Sequence, residues 1–100
     1  MKRVLDDWIT KAEGDYRAAI RLHGPGAGAT HDAVCFHCQQ CVEKYLKALC
    51  TLDKIRFEKG HNLLYLLGLL QGVNPSLELF RTEFQNLTAM QWMYGTWRFR

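Results

Sequence analysis

Apolar positions recur every three or four residues in four stretches of this chain, and nowhere do they alternate one by one. That spacing predicts helices and no strand. The first helix is expected over residues 3 to 22, with Leu5, Trp8, Ile9, Ala12, Tyr16, Ala19 and Ile20 on one side and Lys11, Glu13, Arg17 and Arg21 facing away. Asp15 lies at the edge of the stripe, either as a solvated charge or as a partner for a lysine on a neighbouring helix. His23 to Ala29, HGPGAGA, ends the helix, because three glycines and a proline favour turn and coil. A mobile linker is expected there. A phosphate-cradling loop is disfavoured, since no strand precedes it and no Lys-Ser/Thr follows.

Residues 31 to 50, HDAVCFHCQQCVEKYLKALC, form the longest unbroken helical pattern. Thr30 is a suitable N-cap, and Asp32 in the first turn complements the helix dipole. Val34, Cys35, Cys38, Cys41, Val42, Tyr45, Leu46, Ala48 and Leu49 share one arc, which predicts a core stripe. His37, Gln40, Glu43, Lys44 and Lys47 occupy the opposite arc, spaced so that successive turns touch. Packing alone does not require this second row, so function is expected there.

The central helix fades near Cys50 to Leu52, and DKIRFEKG, residues 53 to 60, reads as a basic connection. His61 and Asn62 lead into LLYLLGLLQGV, where leucines at 63, 64, 66, 67, 69 and 70 nearly encircle a third helix. Such a helix is either central in a bundle or covered by a second subunit. Gly72 and Asn74-Pro75 break it. A fourth helix begins at about Pro75, with Leu77, Phe80, Phe84, Leu87, Met90 and Tyr94 in one stripe and Trp92, Met93 and Trp97 beyond it. The expected fold is all-α: an antiparallel up-and-down bundle of four main helices forming one domain, residues 1 to 100.

Composition narrows the function classes. At 48% hydrophobic the chain can bury one modest core, and a formal charge of +3, from 13 basic and 10 acidic residues, permits nucleic-acid binding without requiring it. No apolar run approaches the ~20 residues needed to cross a bilayer, and MKRVLDDW has the charge of a signal peptide without its apolar core, so a cytoplasmic protein without a membrane is expected. Cys35, Cys38 and Cys41 sit on consecutive turns, where they staple nothing distant. The spacing also fits zinc, an iron–sulfur cluster or a thiol sensor, but the cysteines share the apolar arc. Core packing is therefore preferred, with no metal and no cofactor, and Cys50 is expected as a partly exposed thiol at the arc's edge.

Phe36 projects about 200° from Val34, onto the polar arc. It is expected either to stack a base or to pack across a two-fold interface with Leu66 and Leu70 of the third helix, and the interface is preferred because interface cores are enriched in aromatics.

Phe36, His37, Gln39, Gln40, Glu43, Lys44, Leu46, Lys47 and Ala48 form a pattern that resembles the central helix of the HEPN family, F-H-x-Q-Q-x-x-E-K-x-L-K-A. Ala12 to Asp15, His61 to Leu63, and Tyr94 with Arg98 and Phe99 extend the resemblance over most of the chain. It implies a helical bundle, usually dimeric, associated with nucleotides or RNA and often paired with a nucleotidyltransferase in toxin–antitoxin systems. It also implies a final helix beyond Arg98-Phe99, so a natural continuation is expected to be missing here, or this end to dock on a partner. Ribonuclease members carry an Arg followed four to six residues later by His on a late helix, whereas the last histidine here is His61. Arg17 to His23 and Arg56 to His61 have that spacing in other places. No catalytic residue is assigned on this basis.

RNA cleavage needs a base for the 2′-hydroxyl and a cation for the phosphorane, and His37 beside Lys44 and Lys47 supplies those types. The bland alternative pairs Glu43 with Lys47 along the helix and His37 with an adjacent helix. The preferred expectation is a dimeric interaction module that binds nucleotide, RNA or a nucleotidyltransferase through His37, Gln40, Glu43, Lys44, Lys47 and Arg98. A metal-independent endoribonuclease toxin is the alternative. Lys44, Lys47, Lys54, Arg56 and Lys59 would gather positive charge for phosphates near one end of the central helix.

Overall fold

A computed structural model describes residues 2–23, 31–60 and 62–94, leaving aside the side chains of 31, 32 and 90–94. The described residues form an all-α bundle: α1 Lys2–His23, α2 His31–Leu52, α3 Leu63–Leu70 and α4 Arg81–Tyr94, with a 3-10 segment, Pro75–Phe80, leading into α4. No strand occurs among them. α1 packs chiefly on α2, while α3 and α4 pack on α2 and on each other, so α2 touches every other helix. The glycine-rich loop 24–30, Thr30, His61 and residues 95–100, including Trp97, Arg98 and Phe99, lie outside the described residues, as do the side chains of Asp32, Met90, Trp92, Met93 and Tyr94.

The ends of the helices follow from local hydrogen bonding. At the end of α2, the Ile55 N–H donates to the Cys50 carbonyl at 2.8 Å and the Lys54 N–H to the Thr51 carbonyl at 3.2 Å. These are the two bonds of a Schellman ending, with Lys54 at the left-handed position, φ 59°. Glycine is the usual occupant, and a lysine there bears the steric cost of its Cβ. α3 starts at Asn62, whose side-chain oxygen accepts from the Leu64 and Tyr65 N–H groups at 3.0 and 3.2 Å.

The apolar core is built from Leu46 and Cys50 of α2, Leu63, Leu66, Leu67 and Leu70 of α3, and Phe84 of α4, with Ile55, Phe57, Leu77 and Leu87 packed around it. Of the two explanations for the leucine-rich helix, the central position is the one found. This corrects the assignment of Leu66 and Leu70 to a two-fold interface. Both are fully buried within their own chain, because α2 and α4 close over a helix only two turns long. Cys50 is likewise fully buried, where an edge thiol was expected. α2 runs on to Leu52, and the connection folds Ile55 back against the same cluster.

Two further expectations change in detail. Phe36 is half-buried and lies edge-on to the His37 ring, 5.3 Å between centroids, so it is not the exposed aromatic that the helical wheel suggests. The stripe of the fourth helix is interrupted: Phe84 is buried, but Phe80 is exposed and stacks on Phe84 at 6.3 Å. Six residues of 3-10 helix, with three residues per turn, rotate Phe80 away from the line it would follow in an α-helix.

Truncating Leu67 to alanine leaves a cavity in the middle of this core, and a loss of about 2–5 kcal/mol in urea unfolding is expected. Lys54→Gly relieves the left-handed strain at the end of α2 and should raise stability by about 1 kcal/mol in the same measurement.

Candidate functional site

The polar arc of α2 points into the molecule. Gln39 and Gln40 are buried, and Glu43 and Lys47 are only 2% and 6% exposed. An isolated ammonium at such depth would cost several kcal/mol, so its surroundings must compensate the charge. They do so from three sides. Lys47 Nζ donates to Glu43 Oε2 at 2.9 Å, one helical turn back, and to the carbonyl of Gly60 at 3.0 Å. The faces of Trp8 from α1 and Phe57 from the connection cover it at 5.3 and 5.8 Å from their centroids. The two rings meet edge to face at 6.1 Å. Gln40 Nε2 makes a long hydrogen bond, 3.5 Å, to the other oxygen of Glu43.

A second polar cluster ties α1 to α2 nearer the surface. Asp15 accepts from His37 Nδ1 at 2.9 Å through one carboxylate oxygen and from Lys44 Nζ at 2.5 Å through the other. Of the two readings of Asp15, pairing with a lysine of a neighbouring helix is the one observed. Because a carboxylate only accepts, the proton of the 2.9 Å bond resides on Nδ1, and His37 Nε2 is the ring atom left to act as a base. The side chains of His37 and Lys44 are 29% and 20% exposed, in contrast to the deeper pair.

The predicted ligand-binding residues therefore divide into two groups. Gln40, Glu43 and Lys47 lie inside the bundle and bond to one another, so a ligand arriving from solvent does not meet them in this fold. The reason is tertiary: α1 and the connection, through Trp8, Phe57 and Gly60, cover the arc that a helical wheel leaves outside. His37 and Lys44 remain at an edge. Lys54, Arg56 and Lys59 are exposed on the connection, so of the predicted basic cluster only Lys47 is withdrawn. Arg98 lies outside the described residues.

The pairing of Glu43 with Lys47 along the helix, the bland alternative of the sequence reading, is the one observed, whereas the other partners of Lys47 were missed. Trp8 read as an ordinary stripe residue, and Phe57 sat in a connection without periodicity. The one available signal was an aromatic between Arg56 and Glu58, in an otherwise polar segment.

Among the described residues, no group of three His, Cys, Asp or Glu is placed to hold a metal ion. Burial pushes the Cys38, Cys41 and Cys50 thiols above their ordinary pKa, and the Asp15 and Asp53 carboxylates add to the effect on Cys41 and Cys50 respectively. Metal ligation and nucleophilic chemistry both need thiolate, so these surroundings oppose either use.

The HEPN domain family model matches residues 5–94. No curated protein and no solved structure matches the chain. The matched span includes both polar clusters and, apart from the first three residues of α1, all four helices.

If Glu43 and Lys47 form a compensated pair, replacing either one strands the other. Glu43→Leu and Lys47→Met should each cost about 3–5 kcal/mol, and the double variant should recover most of that loss. Urea unfolding of the four proteins in the cycle measures the coupling.

Proposed function

The chain belongs to the HEPN family, and we propose that within it the protein is a nucleotide- or RNA-associated interaction module that works as a homodimer, with a nucleotidyltransferase as its protein partner. The observation that carries this reading is the division of the polar row. Glu43 and Lys47 are enclosed and mutually compensated, which suits a frame, whereas His37 and Lys44 stand on Asp15 at a partly open edge. That edge, with the exposed cations Lys54, Arg56 and Lys59 on the connection, is where phosphate oxygens would be met. In the module reading, Asp15 acts as a positioning residue. It holds two donors that lie two turns apart on α2 in a fixed relation.

A second reading, a metal-independent endoribonuclease, draws on one specific contact. The Asp15–His37 hydrogen bond fixes the imidazole orientation, as a carboxylate does for a general base, and Lys44 on the same carboxylate brings a cation to the site. His37 Nε2 would take the 2′-hydroxyl proton as that oxygen attacks phosphorus, Lys44 would stabilise the phosphorane, and the P–O5′ bond would break with the proton returned from His37 to the 5′-oxygen, leaving a 2′,3′-cyclic phosphate. Against it, residues 62 to 100 hold no histidine, so no Arg–His pair lies within α3 or α4.

Incubation with end-labelled RNA in the presence of chelator separates the two. The module reading expects retained RNA without cleavage, with binding weakened about tenfold in Lys44→Ala and melting temperature little changed. Cleavage that disappears in His37→Ala would establish the ribonuclease instead, and binding unaffected by Lys44→Ala would remove this edge from either scheme.

A further inference from the structure

The turn from α3 into α4 carries apolar side chains that the bundle does not bury. Among the described residues Leu79 is the most exposed large hydrophobic, at 79%, and Val73 and Phe80, within the same eight residues, are 53% and 49% exposed. The six residues of 3-10 helix are longer than the usual short run of that conformation, and they turn Phe80 outward while one face of its ring stacks on Phe84. The corner is nevertheless firmly built. Arg81 donates through Nε and Nη2 to the two oxygens of Glu78, each at 2.8 Å, and Gln71 at the end of α3 donates to Oε1 of the same carboxylate. Asn74 Nδ2 donates to Asp53 Oδ2 at 3.4 Å, which ties the turn to the chain leaving α2. α1 touches neither the 3-10 segment nor α4, so this corner is separate from the Asp15 edge.

We propose that this corner, Val73, Leu79 and Phe80 with Glu83 beside them, is a docking surface for a basic amphipathic helix of a different protein. The apolar face of that helix covers Leu79 and Phe80, and a lysine or arginine at its margin meets Glu83, one turn beyond Leu79. This goes beyond the function proposed above and depends neither on the ligand at the His37–Lys44 edge nor on the number of copies of this chain. Charge decides among the occupants. Residues 71 to 89 hold two acids, Glu78 and Glu83, and one base, Arg81, in a chain whose formal charge is +3. Arg81 is engaged by Glu78, whereas Glu83 is exposed and forms no ion pair among the described residues, so the free charge of this stretch is negative. Phosphates of RNA or of an anionic lipid surface need cations and find none free there. A second copy docked through the same face would bring Glu83 of both chains to one interface, which like charge opposes. A cationic segment is attracted by the same carboxylate. Size points to one helix, since the three side chains expose on the order of 300 Å², enough for a functional patch but small beside an interface between globular domains. Rigidity favours binding, because a surface held by the Glu78–Arg81 pair and the Phe80–Phe84 stack loses little freedom when it is covered.

The probe is a fluorescent peptide of about 18 residues, five turns of helix with leucines along one face and lysines along the other. Anisotropy titrations with the full chain at about 0.15 M salt should give a Kd on the order of 10–100 μM. Leu79→Asn should weaken binding at least ~10-fold and Glu83→Lys about threefold or more, with circular dichroism unchanged because both side chains are exposed. A peptide with glutamates in place of the lysines should bind Glu83→Lys better than the wild type, as the reversed charge requires. No binding of the lysine peptide, or equal binding by the wild type and Leu79→Asn, would overturn the docking surface. Sedimentation without peptide covers the remaining occupant: a dimer lost in Leu79→Asn would assign the corner to a second copy and overturn the proposal as well.

Discussion

The structure depends on a lysine placed where a lysine is costly. Lys47 sits in the C-terminal part of the central helix under two aromatic rings, and its charge is tolerable only because Glu43, the Gly60 carbonyl and the faces of Trp8 and Phe57 converge on it. These groups come from three parts of the chain. Trp8 lies in the first helix, Glu43 one turn earlier in the second, and Phe57 and Gly60 in the connection. Satisfying one ammonium therefore sets the rotation of α2 against α1 and the path of the chain after α2. A leucine at the same position would bury as well but would not select among rotations so sharply.

The Asp15 cluster reinforces that choice. His37 and Lys44 lie seven residues apart, two turns along one side of α2, and a single carboxylate on α1 receives both. With the deeper Lys47 assembly, the two helices are held at two heights, which fixes their relative rotation as well as their separation. The short α3 then completes the molecule from the other side. Its leucines, with Leu46, Cys50 and Phe84, make the apolar core, so the chain has a dry core on one side of α2 and a polar one on the other.

This division has a consequence at the surface. A helix has only one circumference, and when the polar arc of α2 is spent inside, residues such as Tyr45 and Leu52 are left outside. The edge that holds His37 and Lys44 borders the enclosed polar cluster.

Much of this was legible in the sequence. Helix spacing located the first three helices to within a few residues and the fourth from its first turn at Pro75, where the chain forms six residues of 3-10 helix before α4, and Asn74-Pro75 marked the break before it, because these features depend on neighbours three or four positions apart. The motif at residues 36 to 48 also marked the family. What the sequence misplaced was the polar arc of α2, which a helical wheel, ranking faces by polarity alone, sets toward solvent, although Gln40, Glu43 and Lys47 are buried. Only the tertiary structure supplied Trp8, Phe57 and Gly60 to neutralise Lys47, and only it showed Leu66 and Leu70 covered within their own chain. Three of the four groups around Lys47 lie 39, 10 and 13 residues from it in the chain, beyond any local periodicity, and only Glu43 stands at helical spacing.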